Sequence, residues 1–173
     1  MFRIGLRELE RAGVLRVHHC FLKNDPLWEG SGLRLQAGVD VELSVSRSAY
    51  GEQVVALGRM RTRLGGECRR CLAPVEYRVD EPLDLVWSFA EEASGEVAPG
   101  GEIRAILPGV MEPDVQEAVR EELLLCTPSH FLCRDDCKGI CPRCGVNRNE
   151  EDCGCGGTEI DPRWEALRIL RNE

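Results

Sequence analysis

The chain has 173 residues, 43% of them hydrophobic, and a formal net charge of −8. That suffices for one packed domain with a small appended module and is too apolar for a disordered chain. No apolar run approaches the roughly 20 residues of a membrane helix. The opening MFRIGLRELERAG is charged throughout, without the apolar stretch of a secretory signal, so the expected compartment is the cytoplasm.

Taken in order, the first 30 residues are expected to hold a short helix at Leu6–Ala12 and a strand near Val14–Leu22. In LRLQAGVDVELSV, residues 33–45, every odd position is apolar, which is the period of a half-buried strand. Residues 54–64, VVALGRMRTRL, place Val54, Ala56, Met60 and Leu64 on one face, with Val55 and Leu57 blurring the pattern. SRSAYGE between the two runs reads as a hairpin connection. Residues 75–89 alternate again, with Val75, Tyr77, Val79, Leu83, Leu85, Trp87 and Phe89 on one side, and Pro82 marks an edge position or a bulge. Thirteen residues of strand span about 40 Å, so such a meander must twist and coil. The expected fold is α+β, a curved antiparallel sheet or partial barrel with a packed helix.

Residues 90–109 are rich in Gly, Pro and Glu and read as a connecting loop. Residues 91–122 hold nine acidic side chains against Arg104 and Arg120, a net of −7, and so offer charge complementarity to a basic partner. A helix is expected over 113–126, opened by the box Asp114-x-x-Glu117, with Val115, Ala118, Val119, Leu123 and Cys126 on its packing face. The closing IDPRWEALRILR has Asp161 as N-cap, Pro162 at the first helical position, and Trp164, Leu167 and Leu170 on one face. This divides the chain into a sheet domain, 1–127, and a Cys-rich module with a terminal helix, 128–173.

Six cysteines stand between positions 133 and 155, as Cys133, Cys137, Cys141, Cys144, Cys153 and Cys155. In a reducing compartment such a cluster points to metal ligation, not to disulfides. Cys141-Pro-Arg-Cys144-Gly145 can grip an ion from a tight turn whose glycine supplies a positive φ. Four thiolates in a tetrahedron make a structural Zn2+ site. Spacing leaves the set open: Cys141 and Cys144 are completed by Cys133 and Cys137, by Cys153 and Cys155, or by one of each, and two ions sharing six thiolates is a further alternative. Cys68-Arg-Arg-Cys71 has three readings: half of a metal site completed by other cysteines, small buried residues of a tight turn, or a redox pair. The last ranks lowest because the flanks read as a hairpin and not as the start of a helix. Cys20 and Cys126 are expected to be buried apolar residues.

Arg59, Arg61, Arg63, Arg69 and Arg70 lie within twelve residues and offer a track for an RNA backbone. Against this, a solvated sheet face with Asp40 or Glu42 as cross-strand partners accounts for them, and no aromatic residues interleave for base stacking. His18, His19 and His130 have no partner at motif spacing, and His130 is a weak alternative ligand beside Cys133. No phosphate-binding glycine loop or catalytic triad is present.

The ordered series GECRRCLAPVEYRVDEPL, the acidic loop, VQEAVREELLLCTP, CRDDCKGICPRCGVNRNEEDCGC and IDPRWEALRIL resembles the bacterial YceD family, the large ribosomal RNA subunit accumulation proteins, over roughly residues 33–171. The resemblance implies a role in ribosomal RNA accumulation or processing and in ribosome assembly. It also implies that the zinc module is an accessory stabiliser, because some members keep the earlier C-x-x-C and lack most of the later cysteines. Cys126, where an aliphatic residue is usual, and Arg148, where Leu is common, depart from the family pattern. The expected function is a non-enzymatic assembly factor whose partner is ribosomal RNA, a pre-ribosomal particle or a ribosomal protein. The alternatives are a thiol-redox enzyme using Cys68 and Cys71, and a zinc-ribbon adaptor that does not touch RNA.

Overall fold

The computed structural model of the protein describes residues 2–48, 53–89, 103–155 and Arg163. The expected terminal helix therefore lies outside the described residues except for Arg163, as does most of the acidic loop. In chain order the elements are α1 (Leu6–Ala12), β1 (Val14–Phe21), a 3-10 turn (Pro26–Trp28), β2 (Val39–Arg47), β3 (Gln53–Glu67), β4 (Pro74–Phe89), β5 (Ile103–Ile106) and α2 (Gln116–Cys126). The five strands form one sheet in the order β1-β2-β3-β4-β5, with β1 and β5 as its edges.

β1 to β4 are an antiparallel meander, as the alternation implies. Val39, Val41, Leu43 and Val45 of β2, Val54, Ala56, Met60 and Leu64 of β3, and Val79, Leu83, Leu85 and Trp87 of β4 are all buried on one face. Leu57, on the other side of β3, is exposed. β4 is an edge at Pro82, because β5 covers only Val86–Phe89, so no ladder is broken by the missing N–H. The sheet is mixed and not wholly antiparallel: β5 runs parallel to β4, and its four residues lie in the segment that composition assigned to a loop. Four residues flanked by Gly and Pro carry too short a pattern to register as a strand.

The single strand expected over 33–45 is broken. Leu35 bridges Leu64, whereas Asp40 faces Arg61, so two extra residues bulge out between them. Gly38 sits in the bulge, where a Cβ would press on the Phe21 carbonyl oxygen. At Gly58 a Cβ would overlap the carbonyl oxygen of Glu42, so only glycine allows β2 and β3 to pack at their normal spacing there.

α1 closes with Gly13 at φ 74°, its N–H on the Leu9 carbonyl. α2 buries Ala118, Val119 and Leu123, with Val115 just before it, against the sheet. Its first turn differs from the expected capping box: Asp114 Oδ1 accepts from the N–H of Gln116, and the helix begins two residues later than Asp114. The N-terminal residues are tied to this region by Ile4 N–H to the Pro113 carbonyl and Val115 N–H to the Phe2 carbonyl. Leu123→Ala should cost about 3 kcal/mol, from lost transfer energy plus the cavity left between helix and sheet. A lowered chemical-denaturation midpoint at unchanged metal content is the expected result.

Candidate metal centres

The β3–β4 turn is Cys68-Arg69-Arg70-Cys71-Leu72. Leu72 N–H bonds to the Cys68 carbonyl at 2.9 Å and Leu72 has φ 62°. In the tail, Gly145 N–H bonds to the Cys141 carbonyl at 2.9 Å and Gly145 has φ 76°. The two C-x-x-C stretches are therefore the same knuckle, one ending in leucine and one in glycine. Each points two sulfurs to one side of a tight turn.

Each knuckle is completed by a different pair. Cys68, Cys71, Cys133 and Cys137 form an inner group, and Cys141, Cys144, Cys153 and Cys155 an outer group; within each, all four sulfurs lie within 4.8 Å of one another. Across the inner group, Cys68 Sγ is 3.8 Å from Cys137 Sγ and Cys71 Sγ is 3.5 Å from Cys133 Sγ. A tetrahedron with metal–sulfur bonds of about 2.3 Å has edges of about 3.8 Å. A disulfide needs about 2.05 Å, and all ten cysteines are free. The spacing is that of thiolates arranged around an ion.

The local sequence positions the inner group. Cys68 bridges Phe131 in parallel, and Arg69 N–H bonds to the Phe131 carbonyl at 2.9 Å. The Phe131 ring lies over Gly66, where a Cβ would overlap it, and packs against Tyr77 with centroids 5.9 Å apart. This brings Cys133 to the hairpin. Gly66→Ala should cost about 1–3 kcal/mol by displacing the ring. It should also hasten metal loss to a chelator from the inner group alone, followed as thiol appearance with time.

Arg70 fastens the next turn: Nη1 donates to the carbonyls of Cys137 at 3.0 Å and Asp135 at 3.2 Å, and the Arg70 carbonyl accepts from Ile140 N–H at 3.0 Å. Asn149 braces the inner group from the tail. Its Nδ2 donates to Cys137 Sγ at 3.3 Å and to Asn147 Oδ1 at 2.8 Å, while its Oδ1 accepts from Lys138 N–H and from Arg134.

The hydrogen bonds divide the protons unequally among the sulfurs. Burial pushes the Cys68 thiol up, but N–H groups of Cys133, Cys71 and Arg70 outweigh it and bring it down to about 6. Burial and the neighbouring Cys71 and Cys137 sulfurs push Cys133 up to about 12. The outer group repeats this: N–H groups of Cys144 and Arg143 draw Cys141 down to about 6, and the adjacent Cys144 sulfur followed by burial drives Cys155 up to about 12. Burial raises and the Asn149 amide lowers Cys137, with a net fall.

Of the expected site residues, the structure joins Cys141 and Cys144 to Cys153 and Cys155, and Cys133 and Cys137 to Cys68 and Cys71. His130 lies in neither group, and its Nδ1 is hydrogen-bonded to Ser129. Cys126 and Cys20, both expected to be buried, are not fully so: Cys126 is only partly buried, and Cys20 is exposed, because it alternates with the inward Phe21 on edge strand β1. Asn149 escaped the sequence reading; an asparagine within a cysteine cluster, able to donate to sulfur, was the available signal.

The arginines separate into two sets. Arg59 pairs with Asp80 at 2.9 Å, Arg61 with Glu42 and Asp80, and Arg63 with Glu76. These are exposed pairs worth about 0–1 kcal/mol each, but they neutralise the stripe. The side chain of Arg69 has no ion pair among the described residues, and Arg70 is spent on carbonyls. His18 does find a partner, Asp40 Oδ2 at 2.8 Å across the β1–β2 pair.

The fold and site define a protein of one open mixed sheet whose hairpin shares one tetracysteine group with the tail, while a second lies within the tail. The chain belongs to the YceD family: the family described as "Large ribosomal RNA subunit accumulation protein YceD" matches residues 57–171. An uncharacterised protein of Mycobacterium bovis and its counterpart in Mycobacterium tuberculosis are each 30% identical over 135 residues, which cover 78% of this chain and 64% of theirs. The Arabidopsis thaliana chloroplastic protein named "Large ribosomal RNA subunit accumulation protein YCED homolog 1" is 28% identical over 160 residues, covering 79% of this chain and 50% of that one. The chain thus spans less than two thirds of the length of the curated relatives it matches. No solved structure matches it significantly. No helix among the described residues is long and apolar enough to cross a membrane.

Proposed function

We infer that the protein is a non-enzymatic factor in the accumulation or processing of large-subunit ribosomal RNA, working in the cytoplasm on a pre-ribosomal particle by contact with ribosomal RNA or a ribosomal protein. Family membership and the name of the Arabidopsis relative support the ribosomal part. The observation that carries the non-enzymatic part is the use of eight sulfurs in two closed groups of four. Four thiolates complete the coordination of a tetrahedral ion and leave no position for water or substrate.

Zn2+ is the ion that suits two all-thiolate tetrahedra in a reducing compartment. Cys68, Cys71, Cys133 and Cys137 hold one, and Cys141, Cys144, Cys153 and Cys155 the other. The ions supply cohesion: the first fastens the tail to the hairpin and the second shapes the tail itself. Elemental analysis is expected to give two zinc ions per chain.

The test is depletion of the protein in cells. Large subunits should fall relative to small ones, large-subunit RNA precursors should rise, and the tagged protein should sediment with the precursor particles. An unchanged subunit ratio would overturn the reading. The rival is a thiol-redox enzyme, favoured by the Cys68 thiol drawn down to about 6. It requires disulfide turnover by Cys68 and Cys71, whereas sulfurs committed to metal give none until the ion is chelated.

A further inference from the structure

Leu72 is 59% exposed and is the one non-glycine residue with positive φ among the described residues. A β-carbon is disfavoured in that conformation, and the matching knuckle in the tail uses Gly145 there. The hairpin knuckle thus holds an apolar side chain in water on a backbone that would be easier with glycine. Neither packing nor the metal group accounts for it, since the knuckle hydrogen bond is the same in both cases.

The surroundings of Leu72 indicate what the side chain meets. Ile140, itself 39% exposed, bonds through its N–H to the carbonyl of Arg70, two residues before Leu72. Gly139, beside Ile140, accepts from the N–H of Arg148. Three exposed cations, Arg69, Lys138 and Arg148, stand at or next to these two backbone contacts, and none has an ion pair among the described residues. The sheet arginines, by contrast, are already met by carboxylates.

We propose that Leu72 and Ile140, together with Arg69, Lys138 and Arg148, form a docking tip for single-stranded RNA. The aliphatic side chains lie under the flat face of an unpaired base while the cations take the adjoining phosphates. A duplex hides its base faces and cannot use the apolar part. The proposal rests on the ribosomal reading above and specifies the surface and the form of RNA it takes.

The test uses the metal-loaded full chain and a labelled single-stranded RNA of mixed sequence, with the same sequence as a duplex, followed by fluorescence anisotropy. Three phosphate contacts predict that log Kd rises with log salt with a slope of about 2. Leu72→Gly should weaken single-strand binding about tenfold, through the lost burial of an aliphatic side chain, with metal content and melting temperature retained and duplex binding unaffected. Arg69→Ala combined with Lys138→Ala should lower the salt slope to about 0.7. Leu22→Ala, an exposed leucine at the end of β1, should bind as the wild type does. RNA binding that is unchanged in both Leu72→Gly and the double variant overturns the tip and leaves the ribosomal reading intact. Absence of RNA binding together with Leu72-dependent crosslinking to a ribosomal protein overturns it as well, and assigns the tip to a protein. Loss of sedimentation with precursor particles in the wild type would instead remove the ribosomal reading itself.

Discussion

Cys68→Ser should leave one metal ion per chain and release the tail from the sheet. The residue is fully buried between the hairpin and the tail, and its sulfur is one of four around the inner position. A serine oxygen is a poor substitute where three soft thiolates remain, so the ion is lost outright and not merely held more weakly. Binding of a structural zinc ion is worth about 10 kcal/mol or more at neutral pH, and that energy is coupled to order in the segments it joins. Trypsin should then cut rapidly at Arg134 and Lys138, which the intact module protects, while the sheet core melts within a few degrees of the parent. Cys144→Ser is the informative contrast. It also removes one ion, but Phe131, Cys133 and Cys137 stay docked, and cutting should be confined to Arg143 and Arg148. A Cys68→Ser protein that retained two ions and a protected tail would contradict the assignment of sulfurs to groups.

Metal retention should fall steeply with acid. Without the ion, Cys133 and Cys155 are held up at about 12, and Cys71 and Cys153 are also raised, so these four sulfurs carry protons at neutral pH. Ligation requires them as thiolates, so each group must shed at least two protons to take up an ion. The sign follows directly: lower pH favours the protonated, metal-free form, and higher pH favours the bound one. With at least two protons released per ion, apparent affinity should drop by about 100-fold or more per pH unit between pH 7 and 6. Competition with a chromophoric chelator across that range measures the slope, and a pH-independent affinity would refute the proton assignment. Below pH 6, Cys68 and Cys141 also take up protons and the fall steepens.

Much of this architecture was legible as periodicity. Strands β2, β3 and β4 announce themselves because one face is buried in the core and the other is wet, and a half-buried strand must alternate. α1 and β1 fall where a short helix at Leu6–Ala12 and a strand near Val14–Leu22 are expected, although β1 buries only Phe21. β5 was not legible, because four residues carry no period and its parallel pairing depends on where the chain returns. Pairing between cysteines was legible only in part. Spacing marks Cys141 and Cys144 as one knuckle, but it leaves open whether Cys133 and Cys137 or Cys153 and Cys155 complete it, and it says nothing of the partners of Cys68 and Cys71. Those are set by Phe131 crossing Gly66, a contact between segments about sixty residues apart that no local pattern encodes. The arginine stripe on β3 shows the converse: the charges were visible, and their neutralisation by Asp80, Glu42 and Glu76 depended on register.

The distance along the chain between Cys71 and Cys133, 62 residues, sets an order of events. Joining such remote points removes conformational freedom from the unfolded chain worth about 4 kcal/mol, by the argument used for covalent crosslinks. As the polypeptide leaves the ribosome, the hairpin emerges well before the residues that complete its coordination. For that interval Cys68 and Cys71 are a two-toothed chelator with an unfinished shell, and the ion that arrives can leave again. Only when Cys137 has been made does capture become firm, so a firmly held inner ion marks a chain whose synthesis has passed that point.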